Sequence, residues 1–434
     1  MKILCLIPPY IPSYFNAGHH LPVFQVGAFL RKNLPDDQIT CVDAAALNTT
    51  WKEICNLLCE HFDLVALMND FDAVDTFERF LLYKKKFSPE TKVITFGRLS
   101  KQIPKFFLRF PIDAVHYHGD FEVGLLNYVR YLKDIPHDLS GILTGKDDIV
   151  SEGKFLPVEE WVLPDVQDIP YDAYSFMYKN DFNKFCGIPE RQELVIPVAR
   201  GCPFNCFYCD VPAMQGIKER RLSIPVVINY IQDAFQKLPF EYVSFYAPTF
   251  TLKQNWVIEL CKTLLTLPRI YSWKCVTVLK CLNEELIRLM GRSGCVRISL
   301  GIETFTKSAA LNLPKCKQNT EMFFKKTAKI FRDNNIEMNC FIILGLPDDR
   351  PEDIEYTIQV CQEVGARVRQ TIYTPYHQMT EKMTPQQIIE FNRQFFVDDL
   401  HHPKLEQRYY ELFYKNKKDR VTQVMKNIKK AAVG

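Results

Sequence analysis

Short apolar runs, each stopped by Pro, Gly, Asn or Asp, alternate with stretches of helical spacing along most of this chain. In the first 130 or so residues the runs are KILCLIPP, DQITCVDAA, DLVALMN, KVITFG and DAVHYHG, and segments such as VDTFERFLLYKKKF between them repeat apolar residues at helical intervals. Strand and helix in strict alternation leave few solutions, because each helix must carry the chain back across the sheet to start a parallel strand. The expectation is an α/β fold that opens with a doubly wound parallel sheet over 1–134. A second series follows: LVIPVA (194–199), YVSFYA (242–247), WKCVTV (273–278), CVRISLG (295–301), MNCFIILG (338–345) and ARVRQTIYTPY (366–376). Six β/α repeats are too few for an eightfold barrel and predict a partial (β/α)6 TIM-type barrel over 190–383. Polar, Pro-bearing sequence between the two series reads as a connector, 135–189, and the charged, aromatic end as a helical region, 384–434.

A formal net charge of +3 over 434 residues gives no reason to expect nucleic acid or an anionic membrane as a partner. No run approaches the roughly 18 apolar residues of a membrane span, and MKILCLIPPY lacks the core of a signal peptide. Fifteen cysteines without a secretory signal predict free or metal-bound thiols in the cytoplasm rather than a disulfide framework. The front unit has neither G-x-G-x-x-G nor G-x4-G-K-[ST] after its first strand, which argues against a dinucleotide or a cradled phosphate. His19, His20, His116 and His118 lack further ligands at metal-site spacing and read as loop or site-lining residues.

The densest chemical signal is ARGCPFNCFYCDVP (199–212), in which Cys202, Cys206 and Cys209 follow C-x3-C-x2-C just after the first strand of the second series. Loops at that end of barrel strands are where barrel chemistry is done. Three thiolates leave a structural zinc one ligand short, whereas on a 4Fe-4S cluster they leave one iron open to a substrate or cofactor.

At this point the chain resembles the radical S-adenosylmethionine (SAM) superfamily, and downstream segments extend the likeness over about 190 residues. SLGIETF (299–305) is similar to the family's fourth-strand G-I-E segment, FIILGLPDDRPEDI (341–354) to the fifth-strand G-x-P segment, and YTPYHQM (373–379) to the sixth-strand Y-x-P-x-x-G-T segment, with Gln-Met here for Gly-Thr. The resemblance implies that Cys202, Cys206 and Cys209 ligate three irons and that SAM chelates the fourth, to be cleaved reductively to methionine and a 5′-deoxyadenosyl radical. It further implies cofactor contacts from Tyr208, Thr249, Lys280, Ser299, Gly301, Glu303, Gly345, Leu346, Pro347 and Tyr373, with Glu303 on SAM, Gly345 to Pro347 beside adenine, and Lys280 paired with the methionyl carboxylate. Tyr376 and His377 are the candidate catalytic groups toward substrate. Cys275, Cys281, Cys295, Cys316 and Cys340 stand singly, and most of them read as core.

The strand ends of the front unit are similar to the cobalamin-binding domain that precedes the barrel in one subfamily, with two departures. The usual Gly-Gly turn is Gly97-Arg98, and the D-x-H-x-x-G motif that supplies a histidine to cobalt is missing. Cobalamin therefore stays open. The first reading is hydrogen abstraction from a polar substrate, such as a sugar of natural-product biosynthesis, ending in dehydration, epimerisation or rearrangement. The alternative is a cobalamin-dependent C-methyltransferase, and a third, of another class, is an iron-sulfur binding or electron-transfer protein without turnover. Partners implied are a small-molecule substrate and an electron donor such as flavodoxin or ferredoxin.

Overall fold

The computed structural model describes residues 1–9, 21–70, 74–145, 150–177 and 192–396. The front unit is a six-stranded sheet: β1 (Lys2–Ile7), β2 (Gln38–Asp43), β3 (Leu64–Asn69), β4 (Lys92–Gly97), β5 (Ala114–His116) and β6 (Ile142–Leu143), in the order β2-β1-β3-β4-β5-β6. The first five strands run parallel and β6 adds antiparallel to β5. Every residue from Ile3 to Ile7 is buried, as a parallel strand covered by helices on both faces requires. Helices begin where the sequence supplies caps. Thr50 and Glu53 form a reciprocal capping box at Trp51–Leu58, and the side chains of Asn283 and Thr320 accept from the first turns of Glu284–Arg292 and Glu321–Asp333.

Part of the stretch expected as a polar connector is built into the fold. It contributes β6, and Leu156, Trp161, Val166, Ile169, Tyr171 and Tyr174 are buried. Two-residue β6 is too short for an alternation signal. From the same stretch, Tyr174 donates to Asp43 of the front sheet (2.7 Å) and Asp168 pairs with Arg31 (2.6 Å), while Asp165 pairs with Lys237 in the barrel (2.6 Å).

The second unit begins with β7 (Glu193–Pro197), followed by a short antiparallel ribbon of β8 (Ala199–Arg200) and β9 (Arg220–Arg221). Then come β10 (Tyr242–Tyr246), β11 (Ser272–Thr277), β12 (Cys295–Glu303), β13 (Glu337–Leu344) and β14 (Arg367–Ile372). The sheet order β7-β10-β11-β12-β13-β14, all neighbours parallel, is a partial barrel. Helices separate its strands from β10 on, so the carboxyl ends share one rim, where the cysteine loop sits. Past β14 the chain returns to the front unit: Gln102 and Arg109 donate to the carbonyls of Tyr376 and Met383, and the helix Pro385–Phe396 packs against Val74–Phe87. His19, His20, 178–191 and the rest of the expected helical end, 397–434, lie outside the described residues. Among the described residues no helix is long and apolar enough to cross a membrane.

Candidate active site

The cysteine loop leaves β8 through Gly201, whose φ of +88° only glycine adopts easily; a Cβ there would stand 2.3 Å from the Lys218 carbonyl oxygen. Cys202 and Cys206 are buried and Cys209 partly so, all as free thiols. The loop is braced by its own backbone: Cys202 N–H donates to Gly216 O (3.1 Å) and Cys209 N–H to Cys206 O (2.9 Å). Burial pushes the Cys206 and Cys209 thiols up, Cys209 to about 11, and for Cys206 this outweighs the nearby Lys317 ammonium and a hydrogen bond with Tyr208. Metal loading must therefore displace protons here.

Opposite the loop, β12 carries a bulge between Gly301 and Glu303, and Glu303 takes a φ of +62°. A non-glycine residue there costs about 1–3 kcal/mol, and such strain gathers at functional positions. The bulge aims a buried carboxylate at the loop: Glu303 Oε1 accepts from Tyr208 Oη (2.9 Å) and from Lys317 Nζ (2.7 Å). Burial works against the Lys317 ammonium, yet Glu303 outweighs it and holds the pKa above the ordinary value. Beneath, Ala309, Leu313, Ile343 and Leu346 form a small apolar cluster against which Tyr208 and Tyr373 pack. Phe207 meets both tyrosine rings edge-on.

The two units meet over a cavity of about 350 Å³. Its walls come from the carboxyl ends of the front strands (Met68, Asp70, Gly97, Arg98) and from the cysteine-loop side (Asp210, Met214). Arg98 lines this cavity as a tie across the seam: its guanidinium lies 2.8 Å from Asp70 and 3.6 Å from Asp210, the residue after Cys209. Burial disfavours the charge, but the two aspartates more than restore it. Alongside runs a second ionic set. Asp120 takes Arg220 (2.5 Å) and Arg200 (3.5 Å), Glu122 takes Arg200 (2.6 Å), and Lys101 donates to the carbonyls of Gly119 (2.6 Å) and Met214 (2.9 Å). Arg200 also stacks on Trp161 at 4.4 Å.

Comparison with known proteins gives this rim a family. Residues 196–361 match the model of the radical SAM superfamily. That stretch is a radical SAM domain. The chain is 26% identical over 385 residues to an uncharacterized methyltransferase of Pyrococcus horikoshii, spanning 87% of this chain and 81% of the relative. Over 420 residues it is 23% identical to the anaerobic magnesium-protoporphyrin IX monomethyl ester cyclase of Rubrivivax gelatinosus, 91% and 69% of the two chains. Among solved structures, the radical SAM methyltransferase TsrM from Kitasatospora setae, with tryptophan and a SAM analogue, superposes with a TM-score of 0.69 at 14% identity, covering 87% of this chain and 75% of that one. The cobalamin-dependent radical enzyme OxsB with aqua-cobalamin gives 0.68 at 14% identity, 96% and 61%. At these identities the likeness establishes the fold: a cobalamin-binding-like front sheet followed by a radical SAM partial barrel.

A radical SAM enzyme works with a 4Fe-4S cluster and SAM, and the donor set here fits them: three unpaired thiols on one braced loop, faced by a buried carboxylate and ammonium. The other residues expected at the cofactor divide. Ser299 is buried on β12 and accepts from Asn339 (3.1 Å); Gly345 has φ +78° at the end of β13, with Leu346 buried and Pro347 exposed; Tyr373 follows β14. Tyr208 engages Glu303 with its hydroxyl. Thr249 is buried and its carbonyl accepts from Arg221 (3.3 Å).

Lys280 does not face the loop's interior. It is exposed and donates to the Lys315 carbonyl (2.7 Å), because a single turn, Leu279–Cys281, carries it outward after β11. Lys317 is the buried cation that sequence reading missed. Cys281 and Cys316 are only partly buried and lie within electrostatic reach of Cys202, whereas Cys275, Cys295 and Cys340 are core residues. Tyr376 sits near Arg98, and burial raises its pKa; His377 is exposed and outside the cavity lining. His116 is not a loop residue but a buried one, its ring packed on Phe121 and against Gly124, and His118 bonds the Gly153 carbonyl (3.1 Å).

Proposed function

We propose that the chain is a cobalamin-dependent radical SAM methyltransferase. The observation that carries this reading is the cavity at the seam, where the carboxyl ends of β3 and β4 face the cysteine loop. Support comes from relatives described as methyltransferases and from a two-unit architecture shared with TsrM, a structure of which holds cobalamin and a 4Fe-4S cluster. This takes the second sequence reading ahead of the first, dehydration or rearrangement of a polar substrate.

Gly97 lines the front wall beside Met68 and Phe121 and adds no side chain to it; its φ is +146° and a Cβ would stand 1.9 Å from Asn69 O, so the close packing of β3 requires glycine here. When bound, SAM at the cluster supplies a radical and a corrin supplies a methyl group. The protein's own tasks are then positional. Cys202, Cys206 and Cys209 hold the cluster, Glu303 and Lys317 present opposite charges beside it, and Tyr208 fixes Glu303. Met214 and Tyr246 close the barrel side over a small-molecule substrate. The electron arrives from a one-electron donor such as flavodoxin or ferredoxin.

One observation favours the first reading. Arg98, tied to Asp70 and Asp210, puts charge on the wall a corrin would approach. Anaerobic reconstitution with iron, sulfide and hydroxocobalamin, followed by metal analysis and turnover with SAM and reductant, separates the readings. One cobalt per chain with S-adenosylhomocysteine supports methyl transfer. Cobalt-free protein that forms 5′-deoxyadenosine returns the reading to hydrogen abstraction, and neither product leaves a cluster-binding protein without turnover.

A further inference from the structure

The Lys317 ammonium, paired with Glu303 beside the cysteine loop, has an unusual setting. It is 12% exposed by side chain, its partner 6%, and the two atoms lie 2.7 Å apart. Glycine at 301 makes room for it: a Cβ there would stand 2.2 Å from Lys317 Nζ and 2.7 Å from Glu303 Oε1. The ammonium therefore lies directly against the β12 backbone. From that position it acts electrostatically on Cys206 and on Cys316, while the Tyr208 hydroxyl, bonded to Glu303, also reaches Cys206. The pair thus stands beside the loop that carries Cys206, tied to it through the Tyr208 hydroxyl.

We propose that Lys317 sets the reduction potential of the cluster, with Glu303 as the anchor that holds its charge in place. Reduction brings one electron from an external low-potential donor onto the cluster and adds one negative charge at the thiolate-bound centre. A fixed positive charge within the same buried volume stabilises that reduced state more than the oxidised one, and net charge and hydrogen bonding around the sulfurs are what protein matrices use to move such potentials. Glu303 opposes the effect, so the potential reflects the pair, and removing either member shifts it in opposite directions. The role is positional and electrostatic and requires no contact with substrate.

This inference rests on the cysteine loop holding a 4Fe-4S cluster and is independent of cobalamin. The test is an EPR-monitored redox titration of the reconstituted full-length protein without SAM, with iron and sulfide measured on every sample. In Lys317→Met the ratio of reduced to oxidised cluster at a fixed solution potential is expected to fall about tenfold, a midpoint lower by about 59 mV for one electron. Lys317→Arg keeps the midpoint near wild type, and Glu303→Gln raises it. A fully loaded Lys317→Met protein with an unchanged midpoint overturns the proposal. Where that variant does not load, an unchanged or lowered midpoint in loaded Glu303→Gln overturns it equally. Wild-type protein that assembles no 4Fe-4S cluster fails the family reading instead, a distinguishable outcome.

Discussion

At the scale of residues, the rim of the barrel concentrates unusual states. Glu303 sits in the left-handed region, and Asp349, in the loop after β13, has its carboxyl pushed up to about 7 by burial, against a backbone hydrogen bond at Gly345 that pulls it down. The folded chain thus keeps a proton that an unfolded aspartic acid, with a pKa near 3.9, has released. Stability from the neutral carboxyl is complete below about pH 4 and is lost as pH rises through about 7. Urea unfolding of Asp349→Asn at several pH values is expected to lack that decline. An identical slope in both proteins would assign it to other groups. The cluster cysteines were legible because their spacing is itself the chemical requirement. Lys317 was not: it lies 14 residues past Glu303, in a turn, and nothing in KCKQN separates it from a surface lysine. Lys280 looked the better partner because it directly follows β11, and only the direction of the Leu279–Cys281 turn excludes it from the interior.

At the scale of elements, both sheets could be read from apolar runs with clear stops, because parallel strands are buried along their length and parallel pairing forces a helix between neighbours. What escaped was produced by tertiary contact: β6, and the ribbon of β8 and β9 that presents Arg200 and Arg220 to the front unit. Asp120 shows what that ribbon accomplishes, since it accepts from both nitrogens of Arg220 (2.5 and 3.2 Å) and from the amide of Leu156 (2.9 Å). Removing it leaves Arg220 facing Leu156 O and Gln215 O, and Arg200 with Glu122, in a buried seam. Asp120→Ala is expected to cost about 3–5 kcal/mol in equilibrium unfolding, the range for breaking a buried pair from one side. A loss under 1 kcal/mol would mean that the seam's other pairs take up the charge.

At the scale of the whole molecule, the sequence divides into two series while the structure joins them at several places. The connector is bonded to both units, and the chain leaving β14 is bonded back to the front one through Gln102, Lys105 and Arg109. Such double strapping has a mechanical consequence. With attachments on either flank of the barrel, the two halves cannot swing apart like a book on a single spine; any breathing must be a shallow, distributed flexing. Small-angle scattering with and without SAM is expected to give superimposable profiles, and a marked change in radius of gyration would disprove the strapping. What the cavity accepts is then expected to depend on its standing walls, with Asp70, Arg98 and Met214 among them, more than on a closing motion of the two halves.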